Sequence, residues 1–147
     1  MYLAGSLTLP ALLGMSEPYD CRESQGHDTP SLLCNMYFES RGEGRLGMAA
    51  TAHVTLNRMK HRYFPNTIQG VVWQYKQFSW TWKRDDMTTR ELKVWKKIMK
   101  VAKGVLDGSI PDPTGGALFF HRIDIFPPDW AEKKDITAVI GDHIYYK

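Results

Sequence analysis

A chain of 147 residues with 43% hydrophobic and 24% charged side chains has the length of one domain and the composition of a soluble globular protein. That excludes a disordered chain and a polytopic membrane protein, and it leaves room for one catalytic or binding module. The net charge of +3 is a mild basic bias that suits anionic surfaces such as wall polymers or nucleic acid without choosing between them.

Residues 1–15 carry no charge and resemble the apolar part of an export signal, but the basic region that should precede it is missing. Pro10 and Gly14 interrupt the stretch, so no stable membrane span is expected. Two readings stay open: an export signal or release-type anchor, or a disordered or docked tail. We take residues 1–27 as an N-terminal segment and 28–147 as the folded module.

Asp28-Thr29-Pro30-Ser31 supplies a helix start with a proline in the first turn. From Ser31 to Ser40 the apolar stripe Leu32, Leu33, Met36, Tyr37 predicts a helix that Gly42 and Gly44 stop, with Glu39 on the edge of the stripe. A second helix is expected from Glu43 or Gly44 to about Lys60, with Leu46, Ala49, Ala50, His53, Val54 and Asn57 on one face. Thr67 to Trp73 reads as a short apolar turn. Gln74 to Trp82 is rich in aromatic and amide side chains, a composition that suits a cleft wall. Residues 88–107 predict an amphipathic helix, capped by Thr88 or Thr89 and ended by Gly108, with Trp95, Ile98, Ala102, Val105 and Leu106 facing inward. Its lysines at 93, 96, 97, 100 and 103 face outward, where they can attract anionic wall polymers or phospholipid or simply be solvated. After a loop at 111–116, Ala117–Phe120 and Thr137–Tyr146 read as short extended pieces.

Cys21 and Cys34 lack the spacing of a zinc site. A disulfide in an oxidising compartment and two free thiols both remain open, and two free thiols is the reading we favour. His53, His121 and His143 lack any zinc-hydrolase spacing, and His53, on an apolar face, reads most simply as a hydrogen-bonded core residue.

Glu39, beside Arg41, Glu43 and two glycines, admits two readings. A carboxyl held against apolar side chains resists ionisation and becomes a proton donor near neutral pH. Alternatively, Glu39 or Glu43 forms an ordinary surface ion pair with Arg41 or Arg45.

The segment Glu39-Ser40-Arg41-Gly42-Glu43, with Val54-Thr55-Leu56-Asn57-Arg58 downstream, resembles the SleB/CwlJ-type cell wall hydrolases. The likeness runs in order through Pro65-Asn66-Thr67, Gln77-Phe78-Ser79, Gly115-Gly116-Ala117-Leu118-Phe119-Phe120-His121 and Ile140-Gly141-Asp142-His143, covering about residues 28–147. It implies a mainly α domain with minor short strands, related to goose-type lysozyme and lytic transglycosylases, acting on the glycan strands of peptidoglycan. The catalytic glutamate falls on Glu39, with Arg41, Glu43 and Asn57 as structural support, Glu43 partnering the turn or Arg41. Gln77, Phe78, Ser79, Trp80, Phe119 and His121 are the substrate-binding candidates, with Trp82 beside them. Phe119 departs from the family's frequent tyrosine, and Gln69 from a cysteine common in phage relatives, so any disulfide of Cys34 must use Cys21.

A single convincing acid favours a lytic transglycosylase, in which the muramyl C6 hydroxyl replaces water as nucleophile. Asp85, Asp86, Asp124 and Asp142 are the candidate second acids for a muramidase, though each reads more simply as a turn residue or cap. A metal-dependent N-acetylmuramoyl-L-alanine amidase and a wall-binding or virion module are the remaining alternatives. No cofactor, metal or nucleic-acid partner is expected, a monomer is favoured, and the site of action is the wall, reached by export or by release of a phage endolysin.

Overall fold

The computed structural model describes residues 17–147, so the expectations for residues 1–15 fall outside the described part. Among the described residues there are five α-helices: α1 Asp28–Ser40, α2 Arg45–Lys60, α3 Ile68–Val72, α4 Trp80–Lys83 and α5 Leu92–Leu106. Three strands follow, β1 Phe119–Arg122, β2 Ile136–Ile140 and β3 His143–Tyr146, with short 3-10 turns at Cys21–Ser24 and Asp129–Lys133.

The helix at Asp28 starts where the sequence predicts, but its apolar surface is wider than the predicted stripe. Every residue from Ser31 to Tyr37 is buried, because α2, α3, α5 and the first 3-10 turn surround α1. The same holds for α2. Its small residues Gly47, Ala49, Ala50, Thr51 and Ala52 let neighbours approach from several sides, so there is no single inward face, and Leu46, expected on it, is 58% exposed. Trp95, Ile98, Val101, Ala102 and Val105 of α5 close the main core against Leu33, Met36 and Tyr37.

Helix α5 begins four residues later than predicted. Thr88 pairs with Asp20 in an isolated bridge and the Thr89 side chain accepts from the Tyr19 amide at 3.0 Å, so neither caps the helix. Residue 91 occupies the cap position without a side-chain bond, and Gly108 ends the helix in the left-handed region at φ 85°. Docking of residues 19–24 also carries Cys21 to Cys34. The two form a disulfide across 13 positions, and both are fully buried, which corrects the expectation of free thiols.

The strands form one antiparallel sheet in the order β1-β3-β2, with Phe120 opposite Tyr145 and Ile140 opposite His143. Alternation along β3 sends His143 and Tyr145 to one face and Ile144 and Tyr146 to the other. The first face rests on α2, where Tyr145, Ala117 and Ile140 pack with Ala50 and Val54. The sheet therefore stands beside the C-terminal end of α1, where Glu39 projects.

Candidate active site

Glu39 lies in the last turn of α1, two positions beyond Tyr37. At 100° per residue it points about 200° away from Tyr37, whose ring meets Trp95 of α5. It therefore faces the α2 and β3 side. There it is half-buried, and its carboxyl makes no hydrogen bond or ion pair within 4 Å among the described residues. Burial raises its pKa to about 7, with the positive charge of Arg58 pulling the other way.

Arg58 is the counterweight. It is 5% exposed, donates from Nε to the Leu118 carbonyl at 2.7 Å, and lies over the rings of Phe64, Phe78 and Phe119 at 5.0 to 5.6 Å. Burial lowers its pKa to about 10 against the supporting charge of Glu39, so it remains a cation at neutral pH. Gln77 approaches it at the 3.5 Å limit of a hydrogen bond. Arg58 stood at the end of the downstream motif, yet nothing in the local sequence shows that this arginine is buried within electrostatic range of Glu39.

Glu43 has a structural place, as expected of a supporting residue, but its partner is not Arg41. Arg41 pairs with Glu91 at 3.3 Å and leaves Glu43 to cross 100 positions to His143 Nδ1 at 2.8 Å, with a second bond from the Asp142 amide at 3.2 Å. Two glycines make room for it. A Cβ at Gly47 would lie 2.6 Å from the Glu43 Cβ, and one at Gly141 would collide with the Glu43 carboxylate. The glycine in the β2–β3 turn is thus required by contact as well as by its positive φ of 54°. Glu43 anchors the hairpin that brings Tyr145 to the site.

Tyr145 is the residue that sequence reasoning missed. Its side chain is fully buried, and its hydroxyl lies beside Thr51 and within electrostatic range of Glu43 and Glu39 without closing a hydrogen bond. Burial first, then the two carboxylates, push its ionisation far above the usual tyrosine range, so it is a neutral donor. The only signal available was alternation along a strand whose pairing was unknown.

The remaining candidates divide. Phe78 and Trp80 were expected to present rings to a substrate, but they are 2% and 3% exposed. Trp80 donates to Asn35 Oδ1 at 2.8 Å and stacks on Phe38, so these two support the cleft wall from behind. Gln77, Ser79 and Trp82 are exposed on the same segment. Phe119 is half-buried between Phe64 and Trp130, beside Arg58. His121 lies on the sheet face away from Tyr145, with Nε2 on the Tyr146 hydroxyl at 2.7 Å and Nδ1 on the Arg122 carbonyl at 2.8 Å. Both nitrogens are engaged, so it is a structural residue here rather than a substrate contact. Asn57 ties the 111–117 loop to α2 through Asp112 and the Ala117 carbonyl, a supporting role.

His53 bonds the Ile110 carbonyl and His143 bonds Glu43, so the three histidines considered for zinc are held in separate networks. Among the described residues, no group of three or more His, Cys, Asp or Glu is arranged to hold a metal ion.

A sequence profile described as Cell Wall Hydrolase matches residues 42–146. The chain belongs to this cell wall hydrolase family. Glu39 lies just outside the matched span. The spore cortex-lytic enzyme of Bacillus cereus is 33% identical over 117 residues, covering 79% of this chain and 43% of the relative. That of Oceanobacillus iheyensis is 31% identical over 119 residues, covering 79% and 40%. The chain thus spans less than half the length of these curated relatives. Among solved structures, the catalytic domain of the germination-specific lytic transglycosylase SleB from Bacillus anthracis superposes with a TM-score of 0.64 at 30% identity, covering 80% of this chain and 91% of that one. The catalytic domain of Bacillus cereus SleB gives 0.63 at 32% identity, covering 80% and 88%. The fold of this cell wall hydrolase is accordingly the mainly helical, lysozyme-like one.

Proposed function

We propose that this cell wall hydrolase cleaves the β-1,4 bond between N-acetylmuramic acid and N-acetylglucosamine in peptidoglycan, as a lytic transglycosylase with Glu39 as its acid and base. The observation that carries the reading is a half-buried carboxyl, unpaired among the described residues, whose burial beside Arg58 raises its pKa to about 7. Such a group is substantially protonated near neutral pH and can give its proton to the glycosidic oxygen as the C1–O4 bond breaks. The resulting carboxylate is stabilised by the Arg58 charge. It then takes the proton of the C6 hydroxyl as that oxygen bonds to C1, closing a 1,6-anhydro ring without consuming water. The Tyr145 hydroxyl is a buried neutral donor near both carboxylates, and it acts on Glu39 through the local field rather than by touching the substrate.

Hydrolysis by the common routes needs a second carboxylate about 5 to 9.5 Å across the bond. Of the four candidate second acids, Asp86 is paired with Arg90 and Asp124 with Arg122, whereas Asp85 and Asp142 are in no ion pair among the described residues. The preference for a transglycosylase over a muramidase therefore rests on Glu39 being the one acid of the motif without a partner among the described residues, Glu43 being bonded to His143. The relatives' names also support a wall substrate, since they are called cortex-lytic and lytic transglycosylase.

The place of action that fits is the cell wall. No helix among the described residues is long and apolar enough to cross a membrane. The Cys21–Cys34 disulfide suits an oxidising compartment.

Glu39→Gln is the direct test. Loss of at least about 1000-fold in release of soluble fragments from purified peptidoglycan is expected, given the weight that acid–base groups carry. Unchanged release by the folded variant would remove Glu39 from the chemistry and favour a binding module or another catalytic group.

A further inference from the structure

On the Tyr37 side of α1, away from Glu39, a groove of about 320 Å³ lies between α5 and the start of α2. It is lined by Arg45, Lys93, Lys96, Lys97 and Lys100, with Val101 at its floor. The four lysines follow the spacing i, i+3, i+4, i+7, so they share one helix face, and like charges at those intervals disfavour the helix that carries them.

Nothing in the described protein relieves this repulsion. None of the five cations is in an ion pair or hydrogen bond among the described residues. The acids at the margin are engaged elsewhere, Glu91 with Arg41 and Glu43 with His143. Glu91 at the cap of α5 offsets the dipole of that helix, so the field comes from the side chains. Five cations without an ion-pair partner among the described residues line one concave surface, and they produce a positive potential there.

We propose that this groove binds a linear phosphodiester polymer of the cell wall, separately from the glycan strand in the cleft. The choice of polymer rests on the peptidoglycan reading above, whereas the groove's charge does not. Two observations favour such a polymer over other polyanions. A membrane-surface helix needs apolar side chains to insert beside its lysines, but Trp95, Ile98, Val101, Ala102 and Val105 of α5 are all buried in the core. Single-stranded nucleic acid needs aromatic platforms for stacking, and no aromatic side chain lines the groove. A flexible chain of repeated phosphates needs only the charge and the concavity. Attachment at the rear holds the enzyme on the wall while the cleft engages and releases glycan strands, which raises the effective concentration of substrate.

The test uses the full chain and a labelled linear poly(glycerol phosphate), with fluorescence anisotropy as readout. Wild type is expected to bind, with log affinity falling against log salt at a slope of roughly −3.5, from about 0.7 for each of the groove's cations. A variant with Lys93, Lys96, Lys97 and Lys100 all changed to Gln should bind at least about 10-fold more weakly, and the corresponding all-Arg variant should retain affinity, because charge is kept. Digestion of peptidoglycan stripped of phosphodiester polymer should be the same for wild type and the Gln variant, and digestion of unstripped wall should slow only for the variant. No polymer binding by wild type, equal binding by the Gln variant, or tighter binding to phosphatidylglycerol vesicles than to the polymer would each overturn the proposal. If the polymer tracks the lysines but neither protein cuts peptidoglycan, the groove stands and the glycosidic reading fails.

Discussion

Replacing Glu39 by glutamine keeps the size of the side chain and removes its titration. Because the folded-state value of about 7 lies above the free value of 4.5, the folded protein holds the proton more tightly, and its stability falls as pH rises between those values. Glu39→Gln should therefore raise Tm by roughly 2–6 °C at pH 8 and change it little at pH 5, as measured by calorimetry. Activity has a matching signature. The acid form is lost above pH 7, so kcat/KM should decline there. Arg58→Met, which removes the charge holding the Glu39 value down, should move that decline to higher pH, while Arg58→Lys should leave it close to wild type. An unmoved limb in Arg58→Met would show that another group titrates. At Tyr145 the expected split is different. The hydroxyl is buried without a partner, so Tyr145→Phe should leave Tm unchanged or slightly higher yet lower kcat by about 10-fold or more. Equal loss of stability and activity would make Tyr145 a packing residue only.

At the scale of elements, the β2–β3 hairpin owes its position to one carboxylate. Glu43 holds His143 and the Asp142 amide, and Gly47 and Gly141 leave the space it fills. His143→Ala or Glu43→Gln should each cost on the order of 2–3 kcal/mol in urea denaturation and reduce activity, because Tyr145 is carried by the same hairpin. The helices α1, α2 and α5 were legible from Leu32-Leu33-Met36-Tyr37, from the run of small residues after Gly47, and from Trp95-Ile98-Ala102-Val105. What local pattern could not give was their surroundings. Periodicity reports one apolar face, whereas α1 and α2 are enclosed on several, and Thr88 and Thr89 are drawn from capping by Tyr19 and Asp20 nearly 70 positions away. Glu39 stood out as the proposed acid through its motif. Arg58 and Tyr145 were not legible as its neighbours, since their approach depends on strand pairing and on a turn that closes through Glu43. Phe78, Trp80 and His121 were misplaced for the same reason, because composition marks an aromatic segment but not which ring faces solvent.

At the scale of the molecule, the described residues are tied down on both sides of the helical core. Residues 19–24 dock on α1 and Thr88, where the disulfide fixes them, and the C-terminal sheet packs on α2. Cys34→Ser should lower stability by about 3 kcal/mol, with a matching loss on reduction of the wild type and no further loss on reduction of the variant. The arrangement gives one protein two faces, the proposed acid Glu39 beside the sheet and a cationic groove between α5 and the start of α2. The measurement that bears most directly on the proposed chemistry is mass spectrometry of the fragments released from purified peptidoglycan by wild type and by Glu39→Gln. Fragments ending in 1,6-anhydro-muramyl residues, made by wild type and absent with the variant, are the predicted result. Reducing muramyl ends, or stem peptides freed from intact glycan, would contradict it.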